Sequence, residues 1–165
     1  MLRKTSGTNA ITRTDSCHFT PVSESKHNLQ TRVKLNIILN NDIMRLCEAI
    51  DEAISCAEQT NQPFRHGCVI MSGKKMVSNG FNHARRNIGT YSVHAEMDAL
   101  WKLNTDAYDN LKAVIVRVSK TGHLGNSRPC TMCMAALKQH GVKTIVYSSF
   151  EGRIQMERID GAELK

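Results

Sequence analysis

The chain has 165 residues, a hydrophobic fraction of 41%, a charged fraction of 22% and a formal net charge of +7. This composition is ordinary for one globular domain and excludes a wholly disordered chain. No apolar run reaches the roughly 18 residues of a membrane span, and the first thirty residues contain no apolar stretch typical of a secretory signal. We therefore expect an intracellular, cytoplasmic protein without a membrane partner.

Residues 1–36 are predicted to form a basic, disordered N-terminal extension ahead of a folded domain over residues 37–165. The extension is rich in Ser, Thr and Asn and contains six basic against two acidic residues. It has no sustained hydrophobic period, which is typical of an unstructured tail. Its basic, hydroxyl-rich start also fits an organellar targeting segment, although Asp15 and Glu24 depart from that pattern.

A first helix is predicted after residue 37, with Asn40 or Asn41 as its N-cap and an end at residues 61–63. Apolar residues recur there at three- and four-residue steps, which indicates one buried helix face. These residues are Leu39, Ile43, Leu46, Cys47, Ile50, Ile54 and Ala57. Two short apolar segments around residues 72–75 then predict a β-hairpin.

The second half of the chain alternates strands and helices. A polar loop over residues 80–92 leads to a second helix, and the apolar run at residues 113–118 predicts a strand buried on both faces. A third helix is predicted to begin at Pro129. Strands follow at residues 144–148 and 154–159, and their short connection requires antiparallel pairing. The pattern as a whole predicts the α/β class.

Cys130 and Cys133 lie three residues apart at the start of the third helix, so both sulfurs can reach one ion. The positive end of a helix favours the thiolate that binds metal. His94, at the start of the second helix, adds a third ligand. Zinc held by three residues keeps a position for water, as in catalytic sites, and Glu96 is placed to move protons there.

This combination resembles the His-x-Glu and Pro-Cys-x-x-Cys signature of zinc-dependent nucleobase deaminases. With the leading helix, the hairpin and the Gly80–Phe81–Asn82 step, residues 37–160 resemble the cytidine deaminase superfamily. The resemblance implies a three-layer α-β-α fold whose mixed five-stranded sheet ends in an antiparallel hairpin. It also implies one Zn²⁺ per chain. The implied roles are zinc ligands for His94, Cys130 and Cys133, and the catalytic proton shuttle for Glu96.

The resemblance further implies three substrate contacts. Asn82 would lie near the sugar or base, the backbone of Ala95 would meet a base carbonyl, and the carbonyl of Arg128 would meet the departing amine. Many relatives carry Ser or Glu at the position of Arg128, so we expect this residue to bear on substrate preference.

The loop after Asn82 departs from the cytidine-type Asn-x-Glu sugar-binding step, because Ala84 stands where the Glu is expected. Arg85 and Arg86 could bind a phosphate group there, or their side chains could simply be exposed to solvent. Phe81 and Tyr91 flank the same loop, and either could stack on a base.

The leading hypothesis is a hydrolase that acts on the amidine C–N bond of a nucleobase. It would convert a cytosine-type base to uracil in a nucleoside or nucleotide and release ammonia. One alternative is deamination of cytosine or tRNA adenosine within a nucleic acid, with residues 1–36 as a phosphate anchor. Others are an inactive zinc-stabilised binding module and a redox pair at Cys130 and Cys133. The hairpin ending resembles the cytidine and blasticidin deaminase branch, whose members often form dimers or tetramers.

Overall fold

The computed structural model describes residues 29–84, 92–104 and 107–160, with side chains from residue 41 onward. The long elements there follow the predicted order of helix, two strands, helix, strand, helix and two strands. The elements are α1 Leu29–Glu58, β1 Arg65–Ser72, β2 Lys75–Phe81, β3 His83–Ala84, β4 Ser92–Val93, α2 Ala95–Trp101, β5 Leu111–Val118, β6 Leu124–Gly125, α3 Thr131–Gln139, β7 Val142–Ser148 and β8 Ile154–Arg158.

Helix α1 begins earlier than the sequence pattern predicts. It starts at Leu29, so Asn40 and Asn41 lie inside the helix and do not cap it. An interior Asn costs a helix only up to about 0.7 kcal/mol relative to Ala, so two cap candidates do not force a helix start. The last residues of the expected extension are thus helical. The rest of that extension, residues 1–28, lies outside the described residues, and the domain division at residue 36 stays a prediction.

The described strands form a mixed sheet in the order β2-β1-β5-β7-β8, with β6 paired to β5. Strands β5 and β7 are parallel, whereas β7 and β8 form the predicted antiparallel hairpin. The sheet has six strands instead of five, because β7 pairs with β5 only as far as Ile115. The short strand β6 covers the next part of that edge by pairing with Arg117 and Val118.

Helices cover both faces of the sheet, which confirms the three-layer arrangement. Helix α1 approaches β1 so closely that a Cβ at Gly67 would lie 1.9 Å from the carbonyl oxygen of Ala53. The core on this side contains Ala49, Ala53, Ala57, Val69, Met71, Val114, Val116, Val118 and Val146. Helices α2 and α3 pack on the other face, in a core that includes Cys68, Ile70, Ala95, Ala99, Leu100, Ala113, Ile115, Leu137 and Ile145.

A second, two-stranded sheet holds the segment before α2 against the segment after β2. Strands β3 and β4 pair antiparallel, with His83 opposite Val93 and Ala84 opposite Ser92. They occupy the ends of the polar loop predicted over residues 80–92. This pairing fixes the chain directly before His94.

None of the helices in the described ranges combines the length and apolar character that a membrane span needs.

Candidate active site

Two helices on the same face of the sheet begin at predicted metal ligands. His94 is the N-cap of α2 and Cys130 is the N-cap of α3, and both have extended backbone. Helix α3 therefore begins at Thr131, and Pro129 precedes the cap instead of starting the helix. Within the described residues, neither N-cap side chain accepts a capping hydrogen bond from its own helix. The side chains of His94 and Cys130 are thus free of their own helices and can bind the same ion.

The three predicted ligands come together in space. The His94 Nδ1 atom lies 3.3 Å from the Cys133 sulfur and 3.7 Å from the Cys130 sulfur. All three donor atoms lie within 4.8 Å of one another. Tetrahedral zinc with ordinary bond lengths places a nitrogen and a sulfur ligand about 3.6 Å apart. The donor set and its spacing therefore fit one zinc ion.

The surroundings of the Cys133 thiol oppose its deprotonation. Burial raises the pKa of Cys133, and the neighbouring Glu96 and Cys130 raise it further. The start of α3 therefore does not by itself offset the effect of burial on this thiol. A divalent cation supplies the missing positive charge, since metal binding and thiol deprotonation are coupled.

Glu96 lies beside these ligands in the first turn of α2. Its side chain is buried, with 4% of its surface exposed. Burial raises the pKa of the carboxyl group, while a backbone hydrogen bond, His94 and Cys133 oppose that rise. A carboxyl group whose pKa moves toward neutrality exchanges protons more readily at neutral pH. Glu96 therefore has the position and the environment of a proton carrier.

A cavity of about 270 Å³ opens next to this cluster. That volume lies near the lower end of ligand sites and suits a small molecule. Its wall contains the predicted residues Asn82, His94, Ala95, Glu96, Arg128 and Cys130, together with Gln62, Pro63, Phe64, His66, Ser92 and Ser127. The three predicted substrate contacts thus line one cavity, although their roles toward a substrate stay predictions.

Asn82 holds the cavity wall together. Its Oδ1 accepts a hydrogen bond of 2.8 Å from the backbone N–H of His66, and its Nδ2 donates one of 2.7 Å to the carbonyl of Phe64. The side chain is buried. Its amide therefore fixes the start of β1 against the end of β2, whatever contact it makes to a substrate.

Arg128 is held by the C-terminal hairpin. Its guanidinium group donates to both carboxylate oxygens of Glu157 on β8, at 3.1 and 2.9 Å. This pairing raises the pKa of Arg128 and fixes the direction of its exposed side chain. The backbone carbonyl, which carries the predicted contact to the amine, is independent of that ion pair.

The predicted stacking residue Phe81 lies away from the described cavity. Its ring packs edge-on against His83 at 5.8 Å, with the Lys102 ammonium 5.7 Å above it. Arg85, Arg86 and Tyr91 lie outside the described residues.

The sequence pattern did not indicate six residues of the cavity wall, which are Gln62, Pro63, Phe64, His66, Ser92 and Ser127. Phe64 is exposed, lines the cavity and has the guanidinium carbon of Arg117 4.5 Å from its ring centroid. His66 also lines the cavity. His66 lies on β1 two residues before Cys68, so the alternation along that strand was the available signal for His66. Phe64 precedes the strand and has no such signal.

The chain is similar to proteins of known family and fold. A family model described as the cytidine and deoxycytidylate deaminase zinc-binding region matches residues 40–149. No curated protein sequence matches the chain. Cytidine deaminase from Burkholderia pseudomallei has a TM-score of 0.54 at 19% identity, covering 68% of this chain and 91% of that one.

Two further solved structures are similar. Cytidine deaminase from Mycobacterium tuberculosis has a TM-score of 0.51 at 18% identity, with 69% of this chain and 89% of that one covered. The dCMP deaminase from the cyanophage S-TIM5 also has a TM-score of 0.51 at 18% identity, with 64% and 82% covered. At these identities the likeness establishes a common fold.

Proposed function

Because the chain belongs to the cytidine and deoxycytidylate deaminase family, we propose that it is a zinc-dependent hydrolytic deaminase. It converts a cytosine-type base of a nucleoside or nucleotide to uracil and releases ammonia. The observation that carries this proposal is the buried Glu96 carboxyl beside a His94–Cys130–Cys133 donor set of zinc dimensions.

His94, Cys130 and Cys133 would hold one zinc ion per chain. Three protein donors would leave one position on such an ion for a non-protein ligand. A bound zinc ion supplies Lewis acidity, which makes water nucleophilic at neutral pH. A purely structural site has no use for a proton carrier, so the buried Glu96 beside these donors supports the catalytic alternative.

Glu96 carries the protons of the reaction. Its carboxylate accepts a proton from the attacking water and delivers it to the ring nitrogen next to the amine-bearing carbon. It then transfers the second water proton to the amine, the C–N bond breaks, and ammonia leaves. General acid–base catalysis of this kind contributes about 10²- to 10⁴-fold to the rate.

The cavity wall offers hydrogen-bonding groups and a stacking surface to a flat, polar ring. The backbone of Ala95 would donate to the base carbonyl, and the carbonyl of Arg128 would accept from the departing amine. The exposed ring of Phe64, held under Arg117, offers a stacking surface. Stacking of a base on an aromatic side chain contributes about 1–3 kcal/mol.

The size of the cavity supports a free nucleoside or nucleotide as the substrate. A volume of about 270 Å³ is enough for one small ligand. Self-association and the cellular compartment stay predictions from the sequence.

Glu96→Gln tests the proposal directly. The zinc-loaded protein is incubated with cytidine, deoxycytidine and their 5′-monophosphates, and the product is followed by the one-dalton mass gain and by ammonia release. We expect turnover by the wild type and a loss of at least about 10²-fold in Glu96→Gln, with zinc content unchanged by elemental analysis. Glu58→Gln, at the exposed end of α1, is the matched control. Equal turnover in Glu96→Gln and wild type would exclude this mechanism.

A further inference from the structure

His66 faces the side of the sheet that carries the active site. On β1, Gly67 and Val69 face α1, as shown by the close approach of Gly67 to Ala53. Cys68 and Ile70 belong to the core under α2 and α3. Because side chains alternate along a strand, His66 points to the same side as Cys68. Its imidazole therefore stands in the cavity wall on the catalytic face.

The backbone of His66 is fixed, whereas its ring is available. Its N–H donates to Asn82 Oδ1 at 2.8 Å, and its carbonyl accepts from the Asn82 N–H at 3.1 Å. Among the described residues, none makes a hydrogen bond to the imidazole. The charged and titratable groups that face it are Arg117, opposite on β5, and His94 at the start of α2, with Glu96 in the same cavity.

The ring is neutral at physiological pH. Burial lowers the pKa of His66 to about 4, and the neighbouring Arg117 and His94 lower it further. A neutral imidazole offers one N–H donor and one nitrogen acceptor. A hydroxyl group of a ligand can both accept and donate a hydrogen bond, so it is the complementary partner.

The position of His66 along β1 indicates which part of a substrate it meets. Cys68, two residues further along β1, is buried near Glu96 and Cys133. Phe64, directly before the start of β1, is exposed. Residues two apart on a strand are separated by about 7 Å. His66 therefore lies between the reacting centre and the exposed Phe64, beyond the ring atoms that react.

We propose that His66 is a specificity-determining residue that hydrogen-bonds a sugar hydroxyl of the nucleoside substrate. This inference rests on the proposed function, because the base must be oriented with its amine at the metal ligands. Recognition by His66 would make the enzyme prefer substrates that carry a hydroxyl at the 2′ or 3′ position.

Binding to zinc-loaded Glu96→Gln protein tests the inference without turnover. The probes are cytidine, 2′-deoxycytidine, 2′,3′-dideoxycytidine and 1-methylcytosine, and the dissociation constants are measured by calorimetry. Adding His66→Ala should weaken cytidine binding about tenfold, the size of one lost hydrogen bond. It should leave dideoxycytidine and 1-methylcytosine unchanged. His66→Gln should recover part of the affinity, and His123→Ala, an exposed histidine outside the cavity, is the matched control.

The outcomes separate the inference from the proposed function. A His66→Ala effect that is absent, or equal on all four probes, would overturn the role of His66 even when the wild type deaminates cytidine. A hydroxyl-dependent effect in a protein whose wild type deaminates none of them would support the role and reject the deaminase. If the protein neither binds nor converts any of the probes, both the role of His66 and the proposed deaminase function are rejected. Nitrogen NMR of the His66 ring gives an independent readout, because cytidine should shift its resonances and 1-methylcytosine should not.

Discussion

Burial sets the chemistry of single side chains around the cavity. It raises the pKa of the Glu96 carboxyl and of the Cys133 thiol, because both are acids whose charged forms lose hydration. It lowers the pKa of His66, whose charged form is the protonated one. One physical cause therefore favours the uncharged form of all three groups before a cation or a substrate is present.

The shift of His66 predicts how stability depends on pH. The folded chain lowers its pKa from 6.5 to about 4, so the unfolded chain binds the proton more readily. The stabilisation from the neutral ring is complete above about pH 6.5 and is lost as the pH falls toward 4, with a total loss of about 3 kcal/mol. Urea unfolding of chelator-treated wild type and His66→Gln between neutral pH and about pH 4.5 measures this. Parallel curves for the two proteins would contradict the prediction.

At the scale of elements, two glycines let helices approach the sheet from opposite sides. Gly67 on β1 accommodates α1, and Gly80 on β2 accommodates α2. A Cβ at Gly80 would lie 2.5 Å from the Ala99 nitrogen and 2.6 Å from the Ala95 oxygen, which are backbone atoms of the helix that follows His94. The position of α2, the helix that carries Glu96, thus depends on the absence of a side chain at Gly80.

Gly80→Ala should therefore damage both stability and activity. Overpacking of this kind costs about 1–3 kcal/mol, and the displaced α2 should lower kcat/KM per folded molecule. Gly67→Ala should cost a similar amount of stability, but it displaces α1 and should retain activity. Gly125→Ala, whose Cβ would have its nearest contact at 3.5 Å from the Arg117 side chain, is the control. Urea unfolding and deaminase assays on the three variants check this, and equal activity in Gly80→Ala and Gly125→Ala would contradict it.

The long elements were predictable because hydrophobic periodicity is local, and the β7–β8 hairpin was predictable because its connection is short. The proximity of His94 to Cys130 and Cys133 followed from the resemblance, since spacing along the chain does not bring two helices together. The start of α1 and strand β6 were not predicted, because a helix can extend beyond its packed face and a two-residue strand has no period. His66 was missed because only the packing of α1 decides which face of β1 meets the cavity, and Phe64 was missed because it precedes that strand.

At the scale of the molecule, the sheet brings two separate helix starts to one place. The loop before Cys130 is fixed by buried serines. Ser127 Oγ donates to the Ile115 carbonyl at 2.7 Å, and the Ser148 N–H donates to Ser127 Oγ at 2.8 Å. These bonds join the chain before α3 to β5 and β7. The donor set therefore forms only when the sheet is complete, so metal binding should be linked to folding.

Zinc should consequently raise the melting temperature of the whole chain. A ligand that binds only the folded state at 100 times its dissociation constant stabilises it by about 2.7 kcal/mol, which corresponds to about 5–10 °C for a chain of this size. Calorimetry of chelated and zinc-restored protein measures the shift. Cys133→Ser should abolish it, while Cys47→Ser, on the opposite side of the sheet in α1, should retain it. An unchanged melting temperature on zinc addition to wild type would contradict this linkage.

His94 and Cys130 each have two tasks, since each starts a helix and also contributes to the donor set. In the described part of the chain, neither side chain caps its own helix, so replacing either one removes a donor atom without removing a hydrogen bond from a helix start. Cys133 lies within the first turn of α3, and its replacement leaves both helix starts in place. The extended backbone at both helix starts therefore frees an imidazole and a thiol from their own helices, so that two segments distant in sequence can share one ion.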